Sequence, residues 1–480
     1  YNAAFGYNAL RKNTTADNNA AFGYYALSCN TAGANNTAVG KDSLKTNTTA
    51  SGNTGVGESA LELTTTGCCN TAVGNGALQA NTTGDDNVAV GQAALAFATT
   101  ADGNTAVGRF SMFCNTTASG NISVGAYSLY NNTEGFSNVA IGACQPSGFG
   151  AALELNTTGD CNVAVGNGAL RSNTTSSENT AVGTLALGCN TTATRNVAVG
   201  YQALRDNTTG ERATAIGWCA LASNTDSRQN IGVGYISLQD NTTGEFNTSI
   251  GSASLSNNTT ADYNVGVGYQ SLNLNTTGCQ NTAVGSNSLS QNTTGCNNTA
   301  VGFEAMKVVS TGPNNTGFGY RAMCKTLAGN HNTAMGSCAL CSNVGADRNV
   351  AIGSQSLINM TGTTDFHNTA VGYASGNAVT DGICNTFMGA DAGDTTTTGD
   401  NNTTIGFAAR SSSATVDNEI TLGNGNNDNL RCADTSISSL SDLRDKTNIE
   451  DIPHGLEYIL ALRPVKFDWN TRDGTRVGKK

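Results

Sequence analysis

Cysteine carries the most versatile chemistry in this chain. There are 15 cysteines, an odd number, and their spacings do not match a zinc site. Cys338-x-x-Cys341 has the spacing of a redox motif, but no α/β pattern surrounds it. Cys68 and Cys69 are adjacent in a turn-like stretch. Cys279 with Cys296, and Cys324 with Cys341, lie 17 residues apart. Most other cysteines have no such partner, so the expectation is free thiols filling small-residue places, with these four as candidate stacked pairs. His331, His367 and His454 are scattered, and none recurs with a Ser and an Asp. Ladders of Asp of the calcium-solenoid type are absent. No metal, no cofactor and no polysaccharide-degrading activity are therefore expected of residues 1–423.

Aromatic residues provide the other candidate surface. Tyr201, Trp218 and Tyr235 lie at steps of 17 residues. If the chain stacks with that period, they form a ladder. Such a ladder either packs structurally at an edge or interface or presents a glycan-stacking stripe.

The period is a property of the whole chain. Residues 70–86 begin Asn-Thr-Ala-Val-Gly, and Asn87 starts the block again. The Gly that closes each such block recurs from Gly6 to Gly423 at 25 positions, in steps of 17. Two steps differ, 24 from Gly142 to Gly166 and 19 from Gly353 to Gly372. A fixed period of this kind signals a solenoid. Disorder is excluded by the regularly spaced Val, Ile and Leu. With the Asn counted as place one, places two to four form a short β segment. Place five is Gly, which turns without a Cβ clash. Places eight and nine, Ala/Ser-Leu, are expected as a second short strand, and places twelve to fifteen, Asn-Thr-Thr-Gly/Ala, as a turn. Gly and Asn-Thr interrupt every helical window. The fold class is therefore all-β, a parallel β-solenoid of about 25 coils. At a strand spacing of roughly 4.8 Å the rod is roughly 120 Å long.

Each coil is expected to bury about one Val or Ile, one Leu and two Ala. That is thin against roughly 1–2 kcal/mol of entropy per ordered residue. Stacked neighbours share the load, and packing of chains side by side, as a trimer, would add to it. The Asn-Thr-Thr turns match the N-glycosylation pattern. Glycans one strand spacing apart would collide, so amide and hydroxyl ladders are expected there instead. The insertion at residues 143–149, with Pro146, reads as a loop bulging from the rod. The extra residues near Met360-Thr361-Gly362 read as a second tolerated insertion.

Charged residues are only 12% of the chain and the net charge is −11. No basic stripe exists, which argues against nucleic-acid binding. No apolar run is long enough to span a membrane. The chain starts inside a repeat, so the native N-terminus, with any attachment region, is expected to precede Tyr1.

Asn-Thr-Ala-Val-Gly-x-x-Ala, as at residues 281–288, resembles the repeat of trimeric autotransporter adhesin heads, a left-handed parallel β-roll of three chains. Similar arrays occur in phage and giant-virus fibres. After residue 423 the register ends. Residues 424–440 read as a neck. There follow Ser441-Asp442-Leu443-Arg444-Asp445-Lys446-Thr447-Asn448-Ile449, a possible short helix over 455–462, and Leu462-Arg463-Pro464-Val465-Lys466-Phe467-Asp468-Trp469. Residues 441–480 closely resemble the N-terminal part of the intramolecular chaperone, auto-processing domain of phage tail fibres, a small α/β domain.

That resemblance implies a homotrimer whose chaperone aligns three chains and cuts itself off between Ser441 and Asp442. Ser441 would be the nucleophile and Lys446 the base. The base role needs a neutral Lys, and Asp445 beside it favours the charged form. Near-identical coils make slipped registers nearly degenerate, which gives a terminal clamp its physical purpose. The functional expectation is a structural, receptor-binding fibre at a virion surface, in contact with a host glycan or protein receptor and with other virion components. A bacterial surface adhesin or extracellular filament is the alternative, and an ice-binding solenoid a third reading.

Overall fold

The computed structural model describes residues 1–144, 148–363, 365–427, 431, 469–470 and 476–478. The chain divides into two compact units, Tyr1–Asn426 and Asn427–Lys480. In the second, β26 (Trp469–Asn470) pairs antiparallel with β27 (Arg476–Gly478). The first is a parallel β-solenoid with 25 strands, from β1 (Ala3–Phe5) to β25 (Ile420–Leu422), in one sheet. Each strand pairs with the next in exact register, as in Val197↔Thr214, Ala198↔Ala215, Val199↔Ile216. No helix occurs among the described residues.

The coil has one strand, not two. Places eight and nine form a tight turn in which the Leu takes a left-handed backbone, as at Leu27 (φ 49°) and Leu78 (φ 50°). Such a conformation costs a β-carbon residue about 1–2 kcal/mol. Full burial of the Leu, worth about 1.5–3 kcal/mol, offsets it. The turn still bonds coil to coil, with Leu78 N–H on the Ala94 carbonyl (3.0 Å) and Ala80 N–H on Ala96 (2.9 Å).

The strand orientation also differs from expectation. The middle residue, usually Ala, points inward and is fully buried, whereas the Val or Ile at place four points outward. The interior is too narrow for the larger side chain. At Gly317 an added Cβ would meet Met306 Cγ at 2.7 Å. Volume is exchanged between the two inward places: Phe387 replaces the usual Ala, while Gly376 and Gly393 replace the usual Leu. Added Cβ atoms at those glycines would meet the Phe387 ring at 2.8 and 2.0 Å. The core is therefore a column of Ala and Leu packed at near-constant volume.

Two columns of buried Asn flank this core. At place one, Asn264 N–H donates to Asn247 Oδ1 (2.9 Å), and Asn247 Nδ2 donates to the Ala261 carbonyl (2.8 Å). At place twelve, Asn258 Nδ2 donates to Asn241 Oδ1 (2.8 Å) and to the same Ala261 carbonyl (3.0 Å). Beside them a Thr column bonds upward, Thr208 Oγ1 to the Thr225 carbonyl at 3.1 Å. These are the ladders expected in the turns. They pair backbone groups that a coil this thin would otherwise bury unsatisfied.

Both insertions leave the sheet unbroken. Val139 of β9 (Val139–Ile141) still faces Val163 of β10 (Val163–Val165). Val350 of β21 (Val350–Ile352) faces Thr369 of β22 (Thr369–Val371). At the second insertion Phe366 turns into the core with its ring against Gly362, and Phe366 and Met360 are both essentially buried.

Candidate functional site

The aromatic residues stand at place six because a Gly corner precedes them. Gly200, Gly217 and Gly234 have φ of 135°, 141° and 133°. An added Cβ at Gly217 would lie 2.2 Å from the Gly234 carbonyl oxygen, so only Gly permits the corners to stack. The corner fixes the direction of the next side chain, and Tyr201, Trp218 and Tyr235 line up. Trp218 lies 6.0 Å from Tyr201 and 5.2 Å from Tyr235, with interplanar angles of 15° and 16°. Both faces of Trp218 are therefore covered by its neighbours, and solvent meets ring edges and the free faces of Tyr201 and Tyr235. Tyr7–Tyr24 and Phe303–Tyr320 stack in the same way, at 5.3 and 5.8 Å.

A second aromatic group escaped the sequence reading. Phe97, Phe110, Phe113, Tyr127 and Tyr130 form a half-exposed cluster, with Phe110–Phe113 at 5.2 Å, Phe113–Tyr130 at 5.3 Å and Phe97–Phe113 at 4.8 Å. The Arg109 guanidinium lies 4.8 Å from the Phe110 ring centre. The signal was present as an aromatic pair three residues apart, repeated one period later. The cluster lies in the coils just before the first insertion, where Cys144 N–H bonds the Ala126 carbonyl at 3.0 Å. Residues 145–147, with Pro146, lie outside the described residues.

Cys324 and Cys341 are joined by a disulfide, with their Cα atoms 5.0 Å apart. This pair departs from the free-thiol expectation because stacking alone puts its backbones within disulfide reach. The Cys279 and Cys296 sulfurs lie 3.0 Å apart as thiols, with Cys279 N–H also on Cys296 Sγ at 3.1 Å. Their hydrogen bond, then burial, pushes the Cys279 thiol up. Burial likewise raises Cys114, Cys189 and Cys219, which disfavours the reactive thiolate. Among the described residues no three His, Cys, Asp or Glu side chains are grouped to hold a metal ion.

Apart from Asn13 in the first coil, which is partly exposed, the Asn of each Asn-Thr-Thr turn is buried and closed to modification. Asn241 is fully buried, and its Nδ2 donates to Asn224 Oδ1 (3.1 Å) and the Gly244 carbonyl (2.9 Å). Ion pairs decorate the outer corners. Glu304 receives Lys307 at 2.8 Å and Arg321 at 2.7 Å, and these bonds hold its carboxyl below the ordinary carboxylate value.

Ser441, Asp442 and Lys446 lie outside the described residues. The described body defines a class, a long parallel β-solenoid whose core, corners and ladders repeat coil by coil. Its C-terminal segment defines a second feature: residues 441–479 match the family model described as chaperone of endosialidase. No curated protein and no solved structure matches the chain. Among the described residues no helix is long and apolar enough to cross a membrane.

Proposed function

We propose that the chain is the shaft of a trimeric, virus-type attachment fibre, assembled by its C-terminal segment. One observation carries this reading. A chaperone-of-endosialidase segment follows a rod of near-identical coils, the kind of body that needs an external device to set register between chains. The rod spans distance, and outward places that vary from coil to coil meet the host surface. Sedimentation equilibrium of the full chain tests the assembly: three copies are expected, and a monomer sinks the reading.

Self-cleavage at Ser441–Asp442, with Ser441 as nucleophile and Lys446 as base, is part of the same proposal. Ser441→Ala is expected to leave the precursor uncut, and equal processing of that variant removes the assignment. For recognition, the edges and end faces of Tyr201, Trp218 and Tyr235 are the candidate glycan contact. Trp218→Ala is expected to lower retention on host-surface glycans at least tenfold while leaving the oligomer unchanged. Unaltered retention would assign the ladder a packing role alone.

A further inference from the structure

The internal repeat works as an experiment performed 25 times in one chain. At place six the coils carry Lys41, Glu58 and Arg109 as well as aromatics. At place ten they carry Arg11, Lys45 and Glu62. These outward places tolerate charge freely. Place four also points outward, yet all 25 strands end there on Val, Ile, Leu, Met or Phe. Place two, its companion on the outer face, is Thr, Val, Ile or Ala in every strand. The place-four side chains are only partly covered by their own chain: Val73 is 37% exposed, Ile216 41% and Met335 44%, and Val90 and Val165 are half-buried. Nothing in the folding of one coil forbids Lys or Glu at such a position.

The resulting stripe is uncharged, continuous and one strand wide. At roughly 4.8 Å per coil and about 8–10 Å of width, it offers on the order of 1,000 Å² per chain. That exceeds the apolar patches of a few hundred Å² that soluble monomers expose and reaches the roughly 800 Å² per partner of a standard stable interface. Its side chains repeat at the strand spacing along the whole body. A partner that meets each of them must have the same spacing over the same length, and a second copy of this chain has it.

We infer that the outer strand face, places two and four, is the surface on which copies of this chain pack along the rod, strand opposite equivalent strand. The inference rests on the trimeric reading above and deepens it by naming the face and the register. Val and Ile, whose outward direction leaves them half-exposed in one chain, become the inter-chain core. The aromatic corners and the ion pairs are left for the outside.

Photo-cross-linking of the full chain tests this. A benzophenone side chain replaces Ile216 in one variant. In a control it replaces Thr209, an exposed turn residue of the adjoining coil. Both variants are first sized by sedimentation. The Ile216 probe is expected to join chains into covalent multimers, with the attachment mapped within one coil of residues 214–216 of the other copy. The Thr209 probe is expected to give less than a tenth of that yield. A trimer in which Thr209 links and Ile216 does not overturns the face while the trimeric reading stands. A trimer linked from Ile216 to strands several coils away overturns the register. A monomer by sedimentation removes the trimeric reading and this inference with it. Ile216→Glu is a second readout: because the residue is exposed in the single chain, its far-ultraviolet circular dichroism should be unchanged, while the assembled rod should lose at least 5 °C of thermal resistance. No loss counts against the face.

Discussion

The two Asn columns look alike in sequence and differ in tolerance. Place one departs from Asn only at Ala213 and Glu419 in the coils from β2 (Ala20–Phe22) onward. Place twelve is interrupted by Thr64, Ala98, Val309, Thr326, Met360, Val379, Thr396 and Ser413. Their hydrogen bonds explain the difference. A place-one Asn serves two backbone groups, the carbonyl at place fifteen and the N–H of the next coil. A place-twelve Asn mainly serves its own column, and the carbonyl it shares is already served by place one. At two of the interruptions the cost is visible where the column stops, whereas Asn81 Oδ1, below Ala98, and Asn343 Oδ1, below Met360, accept the Gly84 and Ala346 N–H instead. Asn47 Oδ1, below Thr64, and Asn292 Oδ1, below Val309, are buried without a partner. A side-chain column can end at such a defect, whereas a backbone column cannot end cheaply anywhere.

Substitutions can break this comparison. The largest effect is expected for Asn298→Ala. Its coil has Val309 at place twelve, so Asn298 Nδ2 is the one side-chain donor to the Gly312 carbonyl (2.9 Å), and its Oδ1 accepts Asn315 N–H (2.9 Å). Two buried backbone groups lose their partners, at about 2–6 kcal/mol in total. Hydrogen exchange should show deprotection centred on residues 298–315. Asn264→Ala is expected to cost about half as much, because Asn275 also donates to the Gly278 carbonyl (2.8 Å) and one group, Asn281 N–H, is orphaned. Equal losses for the two variants would refute the redundancy argument. Asn292→Val should be close to neutral, within about 0.5 kcal/mol by the same reasoning, since it moves an existing defect one coil along. A loss as large as that of Asn264→Ala would show that place twelve carries weight of its own.

The smallest expected effect is electrostatic and tests whether the exposed corners matter to either column. Glu304 has a folded-state pKa below its unfolded value, through its bonds with Lys307 and then Arg321. Its contribution is therefore present above the unfolded carboxylate value, about 4.3, and is lost as pH falls through the lower folded value. Because Lys307 and Arg321 are well exposed, screening keeps the contribution under about 1 kcal/mol even though Glu304 itself is largely covered. Glu304→Gln should therefore lower stability slightly at neutral pH, leave it unchanged at a pH below the folded value, and so flatten the acid limb of the stability profile.

The period, the glycine corners, the strand at places two to four and the turn ladders were legible because each depends on a residue type with one physical use. Gly at φ near 130° is such a residue, and so is Asn between stacked carbonyls. The direction of the strand was not legible. Thr-Ala-Val is apolar on both sides, and ranking by hydrophobicity puts Val inside. The decisive quantity is interior width, and it comes from the Leu turn opposite, which itself reads as a strand until its left-handed backbone is seen. Of the candidate sites, the stacking of the aromatic ladder and the nearness of Cys324 to Cys341 followed from period alone, whereas the disulfide between them ran against the expectation of free thiols. The cluster around Phe113 joins neighbouring places within a coil as well as across coils, and a single-column reading passes over it. Ser441 and Lys446 rest on the resemblance of residues 441–449 alone and lie outside the described residues.

The exact strand pairing across both insertions has a consequence for how such a molecule changes. Length is counted in whole copies, as on a measuring tape. Recombination between two copies of the repeat would remove or add 17-residue units and move the far end by one division, roughly 4.8 Å. Every column would stay aligned. A deletion inside a strand or its Leu turn would set Val-sized side chains against Ala-sized spaces and break the columns, whereas the extra residues of the two insertions, placed between these elements, leave the columns aligned. Reach can therefore evolve quickly and in fixed steps, while the cross-section stays the same.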